Sequence, residues 1–589
     1  MNKKYALNEE QMKCVYYNGN KNAVLVLAGA GSGKTTVISN RIEFLVNSKN
    51  ISPSKILMLS FTNRGVKEMN KKIKKFDVKA KTFHAFAKNI LLIEYQKEFE
   101  MLDYEFSFNP NIIMREAIKK YKDEYCARAR VKTPPFSLPA SKHIISYNSY
   151  LINTCGLSPK DDKYHNNKSH IDEIISIYKD IKKIKKVVDI DDFVPLLIEK
   201  IKNNKHVQNI LKNEYTHVIV DEMQDTSPLQ IQLLNFFYKN NVNLFCVGDP
   251  AQSIFSFIGA DYKNILKFSE NFNNAEQFLL NNNYRSTPEI LKLSNQILKQ
   301  SQENYCSDFL AMSDSCNKKP MIFKFDNKLL QFKYIQSDIE NKRRKNYCFS
   351  DMAIICRTKK DLFFTQAHFI GNNMSFASDH KIENQKLIVD LIFLINFIKN
   401  DTFQLNKHQK HLVEYLNVDA LRKKFKICYS CSDLSGILQN ELIPHLEKKY
   451  GQEWEEESAC LEAFNYLITF YGEIDEFLKL FENKKLTSQF SKNTVFISTV
   501  HGIKGAEYKV CYVINVDNAT YPHYKNREDK DLIEEDRRIL YVALTRAMKE
   551  LIITHYSHKN GYLTDFLSFV DSSFVDFDDS QLIPKSSLL

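Results

Sequence analysis

The stretch that most constrains this chain is Val24–Thr36, which reads VLVLAGAGSGKTT. Its first five residues, Val24–Ala28, are apolar and predict a short buried strand. After the stretch, apolar residues recur at the spacing of an α-helix. The loop between them is free to turn its backbone N–H groups inward, because it contains Gly29, Gly31 and Gly33. A glycine-rich loop in this strand–loop–helix context is typical of a site that binds phosphate.

Two polar residues after the glycines give this loop its chemistry. Lys34 would neutralise the charge of the β- and γ-phosphates, and the Thr35 hydroxyl would hold Mg²⁺. The first position of the pattern is alanine instead of glycine. The alternative is an ordinary strand–turn–helix with a surface lysine. The predicted nucleotide-binding loop comprises Ala28, Gly29, Ala30, Gly31, Ser32, Gly33, Lys34, Thr35 and Thr36.

Length and charge set broad limits on the protein. The 589 residues predict about four domains. The chain has 82 Lys and Arg against 71 Asp and Glu, a formal net charge of +11, which permits a nucleic-acid partner without requiring one. Hydrophobic residues make up 43% of the chain, which is enough to build sizeable cores.

Apolar stretches and cysteines bear on the cellular compartment. The longest apolar stretch, Leu387–Ile398, is too short to span a bilayer, and the N-terminus has no apolar signal region. The twelve cysteines are scattered, so we expect free thiols. The close pair Cys428 and Cys431 lacks the second pair that a zinc site of this type needs. We therefore expect a cytoplasmic protein with no membrane partner.

Patterns typical of buried strands fall into two groups along the chain. The first group is 24–28, 56–61, 217–220 and 244–247; the second is 321–325, 352–356, 494–498, 510–516 and 551–554. Polar, helical sequence interrupts each group, between 90 and 186 and between 379 and 489. This order predicts two α/β cores, each with a mostly helical insertion. We expect the closing segment, 571–589, to be a mobile tail, with a docking peptide as the alternative.

An acidic pair follows a strand of the first core. In VIVDEMQDTSPLQ, Asp221 and Glu222 stand at the carboxyl end of the strand, where open α/β sheets bind their ligands. One carboxylate would complete the Mg²⁺ shell, and the other would accept a proton from the attacking water. The alternative is an exposed acidic turn. Together with a phosphate-binding loop, the pair favours hydrolysis of a nucleotide over transfer of its phosphate.

Three shorter strings supply side chains that suit the same chemistry. VGDPAQSIFSFIGA contains Gln252, whose amide would sense the γ-phosphate, and Phe257, an aromatic on the far side of the loop. NYRSTPEIL and YVALTRAMKEL contain Arg285 and Arg546, which the second core would carry. A cleft between the cores would let both arginines reach the phosphate. Taken singly, Phe257 also suits a core position, and each arginine also suits a surface ion pair.

Together these strings resemble the UvrD/Rep/PcrA family of superfamily 1 DNA helicases. Ten strings match in order, over 7–547: LNEEQ, AGAGSGKTT, SFTNRGVKEM, KTFHAFA, VDEMQDTSPLQ, VGDPAQSIFSFIGA, NYRST, DMAIICRT, STVHGIKGAEY and EEDRRILYVALTRA. The resemblance implies an α/β fold with two RecA-like parallel-sheet motor domains. It implies these domains at 1–89 with 190–279 and at 280–378 with 490–560, helical insertions at 90–189 and 379–489, and a tail at 561–589.

The resemblance also implies roles for the matched residues. The residues that would contact adenine and ribose are Gln11, Tyr284 and Glu507. Lys34 and Thr35 would bind the phosphates and Mg²⁺, and Asp221 would complete the metal shell. Glu222 would activate water, and Gln252 would sense the γ-phosphate. The transition state would be stabilised by Arg285 and Arg546. The DNA path would comprise Phe61, Thr62, Asn63, Thr82, His84, Phe257, Arg357, Thr499 and His501. Mixed aromatic and polar residues suit a single strand, because bases stack on rings while polar groups contact phosphates.

The chain departs from the family pattern at several positions. The family usually has Tyr and Arg where this chain has Phe255 and Ile258, and that Arg connects the nucleotide site to the DNA site. Ile503 and Ala506 replace the more usual Ala and Leu. The second insertion is short and has no Gly-rich string for duplex contact, and we expect no fused nuclease after the last motif.

The leading hypothesis is an ATP-dependent DNA helicase or translocase that uses Mg²⁺. It would move 3′→5′ on single-stranded DNA, act at junctions of single- and double-stranded DNA, and serve DNA repair, replication or defence. A second hypothesis is a DNA-dependent ATPase subunit that a protein partner activates, as in a repair or anti-phage complex. A third is an NTP-gated DNA-binding scaffold. The choice between DNA and RNA stays open.

Overall fold

The computed structural model describes two compact units. The described residues are 7–95, 97, 100–101, 103–106, 109–159, 167–303, 305, 308–400, 405–428, 430–482, 493–556, 562–568, 570, 573 and 575–578. Unit 1 consists of Met1–Arg285 and Gln302–Ser313, and unit 2 of Ser286–Ser301 and Asp314–Leu589. Within these described ranges, no helix has both the length and the apolar content required to cross a membrane.

Unit 1 is built on a parallel sheet. Its strands are β1 (Ala23–Ala28), β2 (Ile56–Leu59), β3 (Ala80–Lys81), β4 (Glu105–Phe106), β5 (Val187–Val188), β6 (His217–Val220), β7 (Asn243–Gly248), β8 (Glu276–Leu280), β9 (Asn282–Asn283) and β10 (Leu310–Ala311). Six of them form the main sheet in the order β3-β2-β6-β7-β1-β8, and β4–β5 and β9–β10 form two small sheets. The four strands predicted for the first core are confirmed, to within two residues at each end.

Helices cover both faces of this sheet. Along β1, Ala23 and Leu25 join one hydrophobic cluster, whereas Val24 and Val26 join the cluster on the other face. Because both faces are covered, the central strands are almost continuously apolar, as parallel strands usually are. The helices are α1 (Glu9–Val15), α2 (Lys34–Glu43), α3 (Asn63–Ile73), α4 (Phe83–Asn89), α5 (Pro110–Ala129), α6 (Ser141–Asn153), α7 (Lys168–Ile184), α8 (Phe193–Asn203), α9 (Lys205–Glu214), α10 (Pro228–Lys239), α11 (Lys263–Leu266) and α12 (Phe268–Asn271).

The insertion in unit 1 has a core of its own. Its helices α5, α6 and α7 pack around a separate hydrophobic cluster that includes Met114, Ile144 and Ile174. The insertion therefore stands as a helical subdomain beside the sheet, as the sequence predicted.

Unit 2 contains a second parallel sheet, of seven strands in the order β13-β14-β12-β15-β16-β11-β17. These are β11 (Met321–Phe325), β12 (Met352–Cys356), β13 (Phe376–Ala377), β14 (Val495–Thr499), β15 (Tyr508–Val513), β16 (Ala547–Tyr556) and β17 (Asp576–Asp578). Every strand predicted for the second core is present, although β15 ends three residues earlier than the sequence pattern. Two parallel sheets with helical insertions make this the predicted α/β fold with two RecA-like cores.

The helices of unit 2 include a second helical insertion between β13 and β14. They are α13 (Pro288–Lys299), α14 (Lys328–Arg344), α15 (Lys359–Gly371), α16 (Lys386–Lys399), α17 (Lys407–Val413), α18 (Val418–Phe425), α19 (Cys431–Ile437), α20 (Ile443–Tyr450), α21 (Trp454–Glu457), α22 (Leu461–Ile468), α23 (Ile474–Glu482), α24 (Val500–Ile503), α25 (Lys530–Leu544) and α26 (Asp565–Ser568). The longest apolar stretch of the sequence forms α16, whose apolar side is buried.

Two segments differ from what the sequence suggested. Part of the expected tail, 561–589, is integrated into unit 2: Thr564 and Phe566 are buried, and β17 pairs in parallel with β11. The edge of β11 offers unpaired backbone groups that a distant segment can satisfy, which no local pattern reveals. Residues 579–589 lie outside the described residues. Residues 280–285 and 302–313, assigned from the sequence to the second core, lie in unit 1, where β9 pairs with β10.

Candidate nucleotide-binding site and DNA-binding residues

The phosphate-binding loop connects β1 to α2 in unit 1. The Lys34 ammonium donates hydrogen bonds to the carbonyl oxygens of Ala28 (3.0 Å) and Gly29 (3.4 Å). The Ser32 hydroxyl closes the loop by donating to the Gly29 carbonyl at 2.9 Å. Burial lowers the pKa of Lys34, and the nearby carboxylates of Glu222 and Asp249 oppose this effect. The loop therefore holds a cation in a partly desolvated place, where a phosphate gains most from it.

Two glycines of the loop have a backbone that other residues rarely adopt. Gly31 has φ +71°, and a Cβ there would lie 2.6 Å from the Arg285 Cβ. Gly33 has φ +89°, and a Cβ there would lie 2.7 Å from the Gln11 Nε2. The loop thus needs glycine both for its backbone angles and for its close neighbours.

The two residues predicted to contact adenine lie beside this loop and are connected by Asn8. Gln11 is buried and donates to the Ser32 carbonyl at 3.0 Å. Asn8, the N-cap of α1, accepts from the Gln11 backbone N–H and donates to the Tyr284 hydroxyl at 2.8 Å. Tyr284 is 38% exposed, so part of this residue is accessible to a ligand.

Sequence reasoning missed Asn283, which joins the loop to Arg285. Its buried side chain donates to the Ala30 carbonyl at 2.6 Å and accepts from the Arg285 backbone N–H at 2.9 Å. The segment reads NNNYRST, so its asparagines look alike in the sequence. Asn283 is distinguished only by the tertiary structure, in which β9 pairs with β10 and its side chain reaches the phosphate-binding loop.

The acidic pair lies at the carboxyl end of β6, two strands from β1 in the sheet. Asp221 is buried, and burial together with the Glu222 charge raises its pKa to about 7, against the opposing charge of Lys34. Glu222 has φ +55°, a strained value for a residue with a side chain. Because β6, β7 and β1 are neighbours in the sheet, the acidic pair and the phosphate loop meet at the same edge.

A chain of hydrogen bonds joins Glu222 to Gln252. The Gln224 amide donates to the Glu222 carboxylate at 2.5 Å and accepts from the Asp249 backbone N–H at 2.8 Å. The Gln252 amide in turn donates to the Asp249 carboxylate at 2.5 Å. Gln224 and Asp249 were not predicted as site residues, although both stand in strings that carry predicted ones. Hydrogen bonds among largely buried groups of this kind hold the side chains in fixed orientations.

Four predicted DNA contacts of unit 1 lie around α3 and the loop after β7. The Phe61 ring lies 5.4 Å from the Phe255 ring, which lies 6.1 Å from that of Phe257. Phe257 is 60% exposed, so its ring is available for stacking. Thr62 caps α3 by accepting from the Gly65 N–H at 3.0 Å, and Asn63 is its exposed first residue.

The other predicted contacts of unit 1 lie at the start of α4. Thr82 caps this helix by accepting from the Ala85 N–H at 3.1 Å. Burial lowers the pKa of His84, so its imidazole is neutral at physiological pH.

The predicted nucleotide contacts of unit 2 are joined to each other. Arg546 is buried, and its guanidinium donates to the carbonyls of Val542 (2.9 Å) and Ala506 (3.2 Å). Ala506 directly precedes the exposed Glu507. Arg546 thus anchors the segment that presents Glu507.

The predicted DNA contacts of unit 2 lie at the carboxyl ends of β12 and β14. Arg357 forms an ion pair with the buried Asp536, with 2.7 Å between Nη2 and Oδ1. Thr499 caps α24 by accepting from the Gly502 N–H at 3.2 Å, and His501 is in the same helix. An arginine already held by a carboxylate has a fixed direction, which suits a positioned phosphate contact.

The possible metal ligands are oxygen donors. Asp221 and Thr35 offer a carboxylate and a hydroxyl, which fit Mg²⁺ because this ion prefers one or two such protein ligands with substrate phosphates. Across the described residues, no group of three or more His, Cys, Asp and Glu is arranged to hold a metal ion. Cys428 and Cys431 are free, buried thiols.

Comparison with known proteins identifies the family. The sequence model of the UvrD/REP helicase N-terminal domain matches residues 7–273, and that of the UvrD-like helicase C-terminal domain matches 278–434 and 440–558. A probable DNA helicase II homolog of Mycoplasma capricolum subsp. capricolum is 28% identical, over 94% of this chain and 85% of its own length. The ATP-dependent DNA helicases PcrA of Staphylococcus epidermidis and Staphylococcus aureus are each 25% identical, over 93% of this chain and 83% of theirs. Since the two domain models together match most of its length, the chain belongs to the UvrD/Rep family of ATP-dependent DNA helicases.

Proposed function

We propose that the protein hydrolyses ATP to move 3′→5′ along single-stranded DNA and to unwind the duplex at a junction. The observation that carries this proposal is the convergence of Lys34, Asp221 and Glu222 at one edge of the unit 1 sheet. The direction of movement and the preference for junctions rest on the resemblance to the family. The pathway that it would serve is DNA repair, replication or defence.

Each proposed role in hydrolysis follows from the chemistry of the side chain. Lys34 neutralises charge on the β- and γ-phosphates, while Glu222 accepts a proton from the attacking water. Gln252 senses the γ-phosphate, and its hydrogen-bond connection to Glu222 through Asp249 and Gln224 supports a common response. The residues proposed to stabilise charge in the transition state are Arg285 and Arg546, and those proposed to bind adenine and ribose are Gln11, Tyr284 and Glu507.

Thr35 and Asp221 would hold Mg²⁺. When bound, this ion neutralises charge on the phosphate oxygens. The raised pKa of Asp221 supports the assignment, because a buried carboxylate beside another carboxylate gains from a cation.

For the DNA, we propose that exposed aromatic rings stack on bases while polar groups contact phosphates. Phe257 and Phe61 are the aromatic residues of this path in unit 1. The polar residues proposed for the path are Thr62, Asn63, Thr82, His84, Arg357, Thr499 and His501.

The first test is ATP turnover with and without single-stranded DNA, at several salt concentrations because phosphate contacts weaken as salt rises. We expect DNA to stimulate turnover in the wild type, and Lys34→Ala or Glu222→Gln to abolish it. Lys13→Ala changes an exposed lysine of α1 and serves as the control. Absence of stimulation at every salt concentration would contradict the motor function.

The second test compares displacement of strands from duplexes with a 3′ tail and with a 5′ tail. Movement in the 3′→5′ direction predicts displacement only from the 3′-tailed duplex. The same assay with matched RNA substrates determines whether the protein prefers DNA or RNA. Equal displacement from both tails would refute the proposed direction.

Ile258 favours a second candidate, a DNA-dependent ATPase that needs a protein partner to unwind. This residue stands where the family usually has the arginine that connects the two sites, and it is 38% exposed. Its carbonyl accepts from the Asn153 amide at 3.0 Å, which ties the loop to α6 of the insertion. DNA-stimulated turnover without strand displacement would favour this candidate. Recovery of displacement in Ile258→Arg would then identify the missing arginine as the reason.

A further inference from the structure

We propose that unit 1 has a second anion site, which binds a small organic phosphate or carboxylate beside Arg41. The site is a cavity of about 230 Å³ at the amino ends of β1, β6 and β7. The phosphate loop lies at the opposite, carboxyl end of β1. Six residues of strand separate the two ends, which at about 3.3 Å per residue is roughly 20 Å.

Arg41 is a buried cation without a counter-charge. It lies in the last turn of α2 and is only 8% exposed. Its Nη1 donates to the carbonyls of Val15 (2.9 Å) and Tyr17 (2.6 Å). Within the described part of the chain, its Nε has no hydrogen-bond partner and no carboxylate pairs with it. The rings of Phe44 and Phe245, whose centroids lie 5.4 Å and 5.2 Å from the guanidinium carbon, offset this charge only in part. Burying a charge without a counter-ion is costly, so an anion in the cavity would stabilise this arrangement.

The rest of the lining also suits an anion. Lys21 and Lys49 add two further cations, and the amides of Asn22 and Asn243 add donors. Among the described residues that line the cavity, none is an Asp or Glu. Lys21 does form an ion pair at 3.0 Å with Glu276, which is outside the lining. Arg41 and Lys49 are therefore the two cations best suited to bind the ligand.

The volume of the cavity and its apolar wall restrict the size and the chemical type of the ligand. Phe44, Leu45 and Ile51 give it an apolar wall. A volume of about 230 Å³ lies below the usual range for drug-sized ligands, which is about 300–1,000 Å³. It suits a phosphate or carboxylate on a short organic group, and it is too small for a nucleic-acid strand.

His217 provides an internal reporter of occupancy. It lines the same cavity, and burial together with the charge of Arg41 lowers its pKa to about 4. An anion that neutralises Arg41 removes the second of these effects. Binding therefore predicts a rise in the pKa of His217.

The test uses the full chain with Lys34→Ala, so that the phosphate loop does not compete for the probe. Phenyl phosphate and benzoate are titrated by calorimetry, with benzyl alcohol as the uncharged control. We expect at least one anion to bind at millimolar concentration or tighter, and benzyl alcohol not to bind. The comparison of the two anions distinguishes a phosphate site from a carboxylate site. Equal binding of benzyl alcohol, or no binding of either anion, would overturn the proposal.

Three further variants test whether the anion binds in the cavity beside Arg41. Lys49→Gln removes an exposed cation of the lining and is expected to weaken binding about tenfold, since one charge-assisted contact is lost. Lys212→Gln, an exposed lysine of α9 outside the lining, should bind like the parent. Arg41→Gln should abolish binding. If Arg41→Gln fails to fold, two measurements still test the site: the anion affinity of Lys49→Gln and the His217 pKa by NMR with and without the anion. An affinity equal to the parent's together with an unchanged His217 pKa would refute the site.

The anion site lies at the amino ends of the strands, and the proposed nucleotide site lies at their carboxyl ends. The anion site therefore does not rest on the proposed function. Failure of ATP turnover would leave it intact, and failure of anion binding would leave the motor function intact.

Discussion

At the scale of single residues, the proposed nucleotide site depends on side chains that hold others in place. Gln224 and Asp249 connect Glu222 with Gln252, and Asn283 connects the phosphate loop with Arg285. These supporting residues are buried, so each lost hydrogen bond leaves an unpaired group away from water.

Asn283→Ala is therefore expected to destabilise unit 1 and to impair ATP turnover. It removes the partners of the Ala30 carbonyl and the Arg285 N–H, at a cost of about 1–3 kcal/mol. Thermal unfolding and the KM for ATP measure the two effects. The control is Asn282→Ala, at the neighbouring and less buried position. Equal effects of the two substitutions would contradict the supporting role of Asn283.

At the scale of elements, neighbouring strands of the unit 1 sheet position the residues of the proposed nucleotide site. The loops after β1, β6 and β7 each contribute residues, because the carboxyl ends of parallel strands meet at one edge. The loop after β7 also carries the aromatic Phe255 and Phe257 and contacts α6 of the insertion through Ile258. One loop therefore connects the nucleotide side of the sheet with the predicted DNA path.

Phe257→Ala tests the DNA side of this loop. Because the ring is 60% exposed, stability should change little, whereas affinity for single-stranded DNA should fall by about 1–3 kcal/mol for a lost stacking contact. Fluorescence anisotropy with a labelled oligonucleotide measures the affinity. Tyr415→Ala, in the second insertion and 90% exposed, is the matched aromatic control. Unchanged affinity in Phe257→Ala would exclude the ring from the DNA path.

At the scale of the whole molecule, two units repeat one plan, a parallel sheet with a helical insertion. Each has its own core, and buried titratable groups make the stability of each depend on pH. In unit 2, burial and the charge of Lys333 lower the pKa of His368 to about 4. Its ring nitrogens are hydrogen-bonded to the Tyr466 hydroxyl at 2.9 Å and the Gln336 side chain at 3.1 Å.

Acid should therefore destabilise unit 2 through His368. Between pH 6.5 and about 4 the unfolded chain binds a proton that the folded state excludes, so this contribution to stability is lost as the pH falls through that window. The effect is on the order of 1–3 kcal/mol. Calorimetric unfolding at pH 7 and pH 5 should show a smaller pH dependence in His368→Gln than in the wild type or in the control His411→Gln, an exposed position. The same dependence in all three proteins would contradict this assignment.

The sequence by itself determined the strand–loop–helix at 24–43, the acidic pair after β6 and the order of ten motifs, and hence the family. These features are local: they depend on apolar runs, glycines and spacing within a few residues. Only the tertiary structure decided the partners that lie far apart in the chain. The Gln224–Asp249 bond, the pairing of β17 with β11 and the cavity around Arg41 each join segments whose own sequences give no sign of the other. Such contacts depend on the order of strands in the sheet, which a local pattern does not encode.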